Sequence, residues 1–349
     1  MRSRVLGGAA LSVALLSGVL YAPAATAAPA VAAVGCVWQA SALPLPAGTT
    51  SGTVSVTDDQ GGYAGTAQGA DGKRRVVAWK NGTTTDYGTG TVRTVVVGQN
   101  PAGTVIGVNP SGSTLPSSEG WRTRNGKMEP LPKPPGTYVS TPRAIKDNGD
   151  IIGWVWGNID GVYQTIQVRW PGGQPDKFEA LPALPQDGVL VGIDDDGTML
   201  LNFNGSQGTY AVGLLRDGVT TYLPTVPGAT RTIVRDISNG RVVGDVTRQD
   251  SAGKYYSDGV MWDRDRSLHL LPGTSSAESI NRNGLIKASS DEGANYSYYN
   301  SIWRLWTFDS ILGDADSNAY VVGNDETISG SQPIPNTTNT RPTVWRCGQ

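Results

Sequence analysis

A short pattern returns seven times along this chain, and its period limits the possible architectures more than any other property of the sequence. Each copy is an aliphatic run, a polar turn rich in Asn and Asp, a Gly, two aliphatic residues and a second small residue. The clearest copies are Gly103-Thr104-Val105-Ile106-Gly107, Gly149-Asp150-Ile151-Ile152-Gly153 and Gly240-Arg241-Val242-Val243-Gly244; weaker ones start at Gly61, Gly197, Gly284 and Glu326. Successive starts lie 42, 46, 48, 43, 44 and 42 residues apart. Four positions on stand Gly65, Gly107, Gly153, Gly244, Ala288 and Gly330, with Leu201 in the remaining copy, as expected where two sheets approach closely.

A second landmark follows 18 to 22 residues after each start: Trp79, Trp121, Trp170, Leu215 in place of Trp, Trp262, Trp303 and Trp345. Polar turns such as Lys80-Asn81-Gly82 and Arg216-Asp217-Gly218 come next, then strands ending in Leu131-Pro132, Leu181-Pro182, Leu223-Pro224 and Leu271-Pro272. Asn-Gly and Asp-Gly between extended runs are hairpin signals, so each unit reads as four antiparallel strands. Seven such units, with no long amphipathic helical period, predict an all-β, seven-bladed β-propeller. An isolated copy, Val37-Trp38, opens the ring and Val344-Trp345-Arg346-Cys347 finishes it, so the first strand is expected to complete the last blade.

The Ile280-Asn281-Arg282-Asn283-Gly284 and Ile193-Asp194-Asp195-Asp196-Gly197 turns, with the Gly-x-Val-Val-Gly strand and the later Trp, resemble the bacterial extracellular HAF repeat over nearly the whole chain after its leader. The chain departs from that family's His-Ala-Phe run, showing Val77-Ala78-Trp79 and Gly259-Val260-Met261-Trp262. The resemblance implies a secreted propeller and brings no catalytic residues with it.

Export is also written in the first residues. Arg2 and Arg4 precede an apolar stretch from Val5 to Leu20, then Pro23 and Ala25-Thr26-Ala27, the layout of a signal peptide over 1–27. The expected product has a flexible start over 28–35 and a single propeller domain over 36–349, acting outside the cell as a monomer with no membrane span. Cys36 and Cys347 are the only cysteines, and an oxidising compartment would join them in a disulfide between the termini. Two free thiols are the alternative, as is a lipoprotein cleavage site at Ala33-Val34-Gly35-Cys36.

Charge is low and balanced, with 28 Lys and Arg against 30 Asp and Glu and no basic cluster, which excludes a nucleic-acid footprint. Losing the leader leaves 26 positive residues against 30 negative, a net charge of −4. The single imidazole, His269, removes His-rich metal sites and leaves no choice of base for a Ser-His-Asp triad. No cofactor or metal site is expected. Asp194-Asp195-Asp196 falls on a repeat turn, where Asx side chains stabilise the turn itself. Ser289-x-Asp291-x-Gly293-x-x-Tyr296 has the outline of a single Asp box in an unusual place.

Connections between second and third strands vary most, over Asn109 to Gly120, Arg248 to Asp258 and Ser289 to Asn300. Variable loops on a rigid scaffold carry function, which places the candidate ligand-binding residues at Tyr163, Tyr255, Tyr256, Tyr296, Tyr298 and Tyr299, with Trp154 and Trp156 beside them. Tyr and Trp flanked by Asn, Asp and Lys suit a glycan or an extracellular protein surface. Arg143 and Arg235 occupy equivalent repeat positions and are expected near the ring axis. The functional expectation is a non-catalytic binding module for a glycan or cell-surface polymer. The alternatives are a polysaccharide hydrolase or lyase using channel-facing carboxylates, and a protein inhibitor or interaction scaffold.

Overall fold

The computed structural model describes residues 36–110, 118–204, 210–292, 297–312 and 317–348; the expected leader lies outside them. All regular structure among the described residues is β-strand. Strand β1 (Val37–Ala42) comes first. Six four-strand meanders follow: β2 to β5 (Thr49–Thr57, Gly62–Gly69, Arg74–Lys80, Thr83–Thr89), β6 to β9 (Val95–Gln99, Val105–Pro110, Ser118–Arg124, Lys127–Pro130), β10 to β13 (Thr137–Ile145, Ile151–Ile159, Val162–Trp170, Glu179–Ala180), β14 to β17 (Gly188–Ile193, Met199–Asn204, Tyr210–Arg216, Val219–Tyr222), β18 to β21 (Ala229–Ser238, Arg241–Gln249, Tyr255–Trp262, Leu268–Leu271) and β22 to β25 (Ser276–Ile280, Leu285–Glu292, Ser297–Arg304, Thr307–Ile311). The last group holds β26 (Asn318–Val322), β27 (Thr327–Pro333) and β28 (Thr340–Gly348), and β1 adds to it antiparallel, from Val37 opposite Gly348 to Ala42 opposite Thr343. A single parallel bridge, Val139 to Ser118, ties the second group to the third.

Local chemistry explains the meanders. At Asn81-Gly82, Asn125-Gly126, Asp160-Gly161 and Asp217-Gly218 both residues have positive φ, between 50° and 84°, which is the type I′ geometry whose twist suits a two-residue hairpin. In every group the first strand carries a β-bulge at the same place, and the extra residue is Ser55, Val97, Arg143, Val191, Arg235, Glu278 or Tyr320. The repeated small residue faces the position just before that bulge. A Cβ added at Gly65, Gly153, Gly244 or Gly330 would stand 1.9 to 2.1 Å from the carbonyl oxygen of Thr53, Thr141, Ile233 or Asn318. The close approach is therefore made by the bulged strand of the same sheet, not by a neighbouring sheet as the repeat alone suggested.

Neighbouring groups are joined by the two sequence landmarks acting together. Leu131, Leu223 and Leu271 are buried in the hydrophobic cluster of the following group. The Pro carbonyl beside each of the first two accepts the indole N–H of that group's Trp: Trp170 to Pro132 at 2.6 Å and Trp262 to Pro224 at 2.8 Å. Trp79 makes the same bond to Pro44 at 2.7 Å, so the N-terminal Leu43-Pro44 serves as the Leu-Pro of the last group. The first group has no Leu-Pro, and Trp121 Nε1 is buried without a partner among the described residues.

A second set of links joins the turns between first and second strands. Asn100 Nδ2 donates to Lys146 O, Asn281 Nδ2 to Gly323 O, and Asp194 accepts from the amides of Asn239 and Gly240. The amide of Asn324 donates to Asp59 Oδ1 at 2.9 Å and Tyr63 hydroxyl to Asp325 at 3.0 Å, connecting the last group with the first. Cys36 and Cys347 form the expected disulfide, with Cα atoms 5.6 Å apart across a sequence separation of 311.

Candidate functional site

First strands of all seven groups line one central cavity of about 510 Å³. Its mouth, built from the first turns, carries Asp59, Asp147, Asp195 and Arg282, with Arg282 and Asp195 paired at 3.6 Å. Desolvation at the cavity mouth pushes the carboxyl of the otherwise exposed Asp59 up to about 6, against the opposing pull of the Asn324 amide and the Arg282 guanidinium. Burial likewise pushes Asp236 up to about 6. Its oxygens accept from the amides of Ile237 and Ile280 and from the Ser279 hydroxyl, at 2.9 to 3.1 Å. Asp194 caps its turn and reaches Asn239 and Gly240, and among the described residues no three acidic, His or Cys side chains gather as a metal site.

The bulge residues point to a difference between otherwise equivalent groups. Arg235 pairs with Asp245 at 2.5 Å, the residue after the repeated Gly244. In the sixth group Glu278 is held by Lys287 and by the hydroxyls of Ser276 and Ser289, Ser289 being the residue after Ala288. Burial works against that carboxylate, but Lys287 and the hydroxyls together keep it below the usual range. In the third group the residue after Gly153 is Trp154, and Arg143 makes no ion pair or hydrogen bond among the described residues. Its side chain is exposed to the solvent of the central cavity, and partial desolvation there lowers its pKa.

Arg143 also lines a groove of about 530 Å³ between the third and fourth groups, walled by Trp154, Thr165 and Gln167 on one side and by the Leu181 to Leu190 segment on the other. Gln167 Oε1 finds no donor among the described residues, and Asp187 stands exposed at the lip. The groove lies at the junction whose repeat Trp is replaced by Leu215, so no indole reaches Leu181-Pro182 there.

An aromatic cluster lies outward on the same face of the third sheet. Trp154 and Trp156 are two residues apart on β11, and the cross-strand partners of Trp154, Trp156 and Asn158 are Gln167, Thr165 and Tyr163. Tyr138, the extra residue of a second bulge on β10, completes the cluster. Ring centroids are 5.8 Å apart for Tyr138 and Trp156, 5.9 Å for Trp156 and Tyr163, and 6.3 Å for the stacked Tyr138 and Tyr163. Tyr138 remains 42% and Tyr163 63% exposed. Along β10 the backbone from Tyr138 to Arg143 covers ~16 Å at the usual strand rise.

Tyr255 and Tyr256 do not join this cluster. They stand on β20 opposite Gln249 and Arg248, whose guanidinium lies 5.0 Å from the Tyr256 ring centre. The stretch from Arg248 to Asp258, expected to be a loop, is therefore mostly paired strand. Tyr296 and Gly293 lie outside the described residues, as do the side chains of Asp291, Tyr298 and Tyr299. Arg235 faces the central cavity and is spent on Asp245. His269, on the outer strand β21, is within 3.1 Å of Ser267 Oγ and stacks on Trp306 at 4.3 Å. Sequence reasoning missed Tyr138 and the missing counter-charge of Arg143; aligning Gly153-Trp154 with Gly244-Asp245 would have shown the latter.

No protein-family model and no curated protein matches the chain. Solved structures do. The β-propeller domain of the trilobed protease from Pyrococcus furiosus is similar with a TM-score of 0.56 at 11% identity, over 85% of this chain and 94% of that one. Pyrococcus horikoshii acylaminoacyl peptidase gives 0.54 at 10% identity, over 86% of this chain and 52% of the peptidase. A chain of the mitotic checkpoint complex gives 0.52 at 10% identity, over 97% and 100%. Identities this low speak to architecture alone: the chain has a β-propeller fold, with a disulfide that suits an oxidising compartment.

Proposed function

We propose that this is a secreted, seven-bladed propeller, closed by β1 on the last blade, whose function is non-catalytic binding of a glycan or cell-surface polymer in the groove between the third and fourth blades. The observation that carries this reading is the cluster of exposed Tyr138 and Tyr163 around half-buried Trp156, whose cross-strand partner Thr165 lines that groove. Aromatic rings left in water on a rigid sheet offer flat apolar faces, and sugar rings present matching C–H faces with hydroxyls for the polar groups around them. Thr165, Gln167 and Asp187 supply those hydrogen-bonding partners. The resemblance to exported HAF repeats supports the proposed location. A hydrolase or lyase of the usual kind works with a pair of free carboxylates, whereas Asp236 and Asp59 accept from amides of the adjoining group and Asp195 pairs with Arg282, which leaves Asp147 alone at the mouth among the described acids.

The test is a binding screen of the oxidised protein against plant and microbial polysaccharides, with product analysis on each hit. Binding without turnover is expected, weakened at least tenfold by Tyr163→Ala and by Tyr138→Ala with unchanged thermal stability. Turnover, or affinity indifferent to both substitutions, overturns the reading.

A further inference from the structure

We infer that the groove selects an anionic glycan, with Arg143 as the subsite for its carboxylate or sulfate group and the three aromatic rings as the platform for the sugars preceding that group. This rests on the glycan reading above and adds to it the charge class of the ligand. Its warrant is internal to the repeat. Three bulge positions hold a charged residue, and two of these are neutralised by partners on the neighbouring strand: Arg235 by Asp245, and Glu278 by Lys287 with Ser289. At the third, the place of Asp245 is taken by Trp154, which removes the counter-charge and adds a groove wall in one substitution.

Arg143 faces the cavity and the groove with no ion pair or hydrogen bond among the described residues, so its five donors are free to meet an incoming anion, and their fork fits a carboxylate or sulfate oxygen pair. Arg143 and the aromatic cluster share one sheet face, and the ~16 Å of strand between them leaves room for more than one sugar ring. Asp187 at the lip is exposed and stands as an acceptor for hydroxyls.

The experiment is calorimetry of the oxidised protein with three probes of equal length: an oligogalacturonate, a sulfated galacto-oligosaccharide and the neutral galacto-oligosaccharide, with polyglutamate as a fourth. One or both acidic saccharides should bind on the order of 10- to 100-fold more tightly than the neutral one, the range of a charge-assisted hydrogen bond. The preference should shrink as salt rises. Arg143→Gln should abolish it, bringing the acidic probes to the affinity of the neutral one, and Trp154→Asp should cancel it by restoring the counter-charge of the fifth group. Arg93→Gln, an exposed cation outside the groove, should leave it unchanged. Because Arg143 makes no hydrogen bond or ion pair among the described residues, the melting temperature of Arg143→Gln serves as the folding control. Equal binding of neutral and acidic probes, still dependent on Tyr163, overturns the anionic subsite and leaves the glycan reading standing. Absence of all saccharide binding overturns both, and Arg143-dependent capture of polyglutamate alone replaces the glycan with an acidic peptide.

Discussion

Single side chains in the central cavity are separated by what their charge faces. Asp59 has a pKa near 3.8 when free and about 6 in the folded chain, so the folded state binds its proton more tightly than the unfolded state does. The resulting stabilisation is complete below about pH 4 and disappears as pH climbs through about 6. Asp236 acts in the same direction. In Asp59→Asn this contribution is absent, so the melting temperature of the natural protein should gain on the variant's as pH falls from 7 to 4. Parallel pH profiles for the two proteins would contradict the assignment. Of the bulge residues, only the equivalence of Arg143 and Arg235 was legible in the sequence. Ser55, Val97, Arg143, Val191, Arg235, Glu278 and Tyr320 share a backbone position but not an environment: Val97 and Val191 pack against hydrophobic clusters, Arg235 and Glu278 are ion-paired and Tyr320 is exposed, so no common partner selects a common residue type.

Elements show the opposite balance. Trp, Leu-Pro, Asn-Gly and the small residue recur because each solves a backbone or packing problem repeated in every group, and the four-strand meander was therefore legible from spacing alone. The aromatic cluster was only half legible. Tyr163 and Trp156 stood out as residues, but Tyr138 reaches them through a bulge that rotates one side chain out of the strand's alternation, a displacement that composition and period do not encode. The Trp to Leu-Pro bond allows a controlled comparison between groups. Trp262→Phe leaves Pro224 O without its donor, whereas Trp121→Phe removes an N–H that has no partner among the described residues. Both substitutions remove similar volume, so chemical denaturation should find Trp262→Phe the more destabilising by about 1 to 2 kcal/mol. Equal losses would mean that the indole bond adds nothing to the junction.

For the whole molecule, the two ends are joined twice, by six residue pairs between β1 and β28 and by the Cys36 to Cys347 disulfide. The chain-entropy relation for a loop of 311 residues gives roughly 5 to 6 kcal/mol as the upper value of that cross-link. Cys347→Ser should lower stability by less than this, since β1 keeps its hydrogen bonds, and protease sensitivity should appear first over Val37 to Ala42. Unchanged protease resistance and unchanged denaturant midpoint would show the bridge to be redundant.

The same pairing imposes an order in time. During synthesis at ~5–20 residues per second, Cys36 is made ~15–60 s before Cys347, and throughout that interval the chain contains no second thiol with which it could pair wrongly. Oxidation within one molecule therefore waits until the last strand has been made, and the bridge records that the first and last strands of that molecule have met.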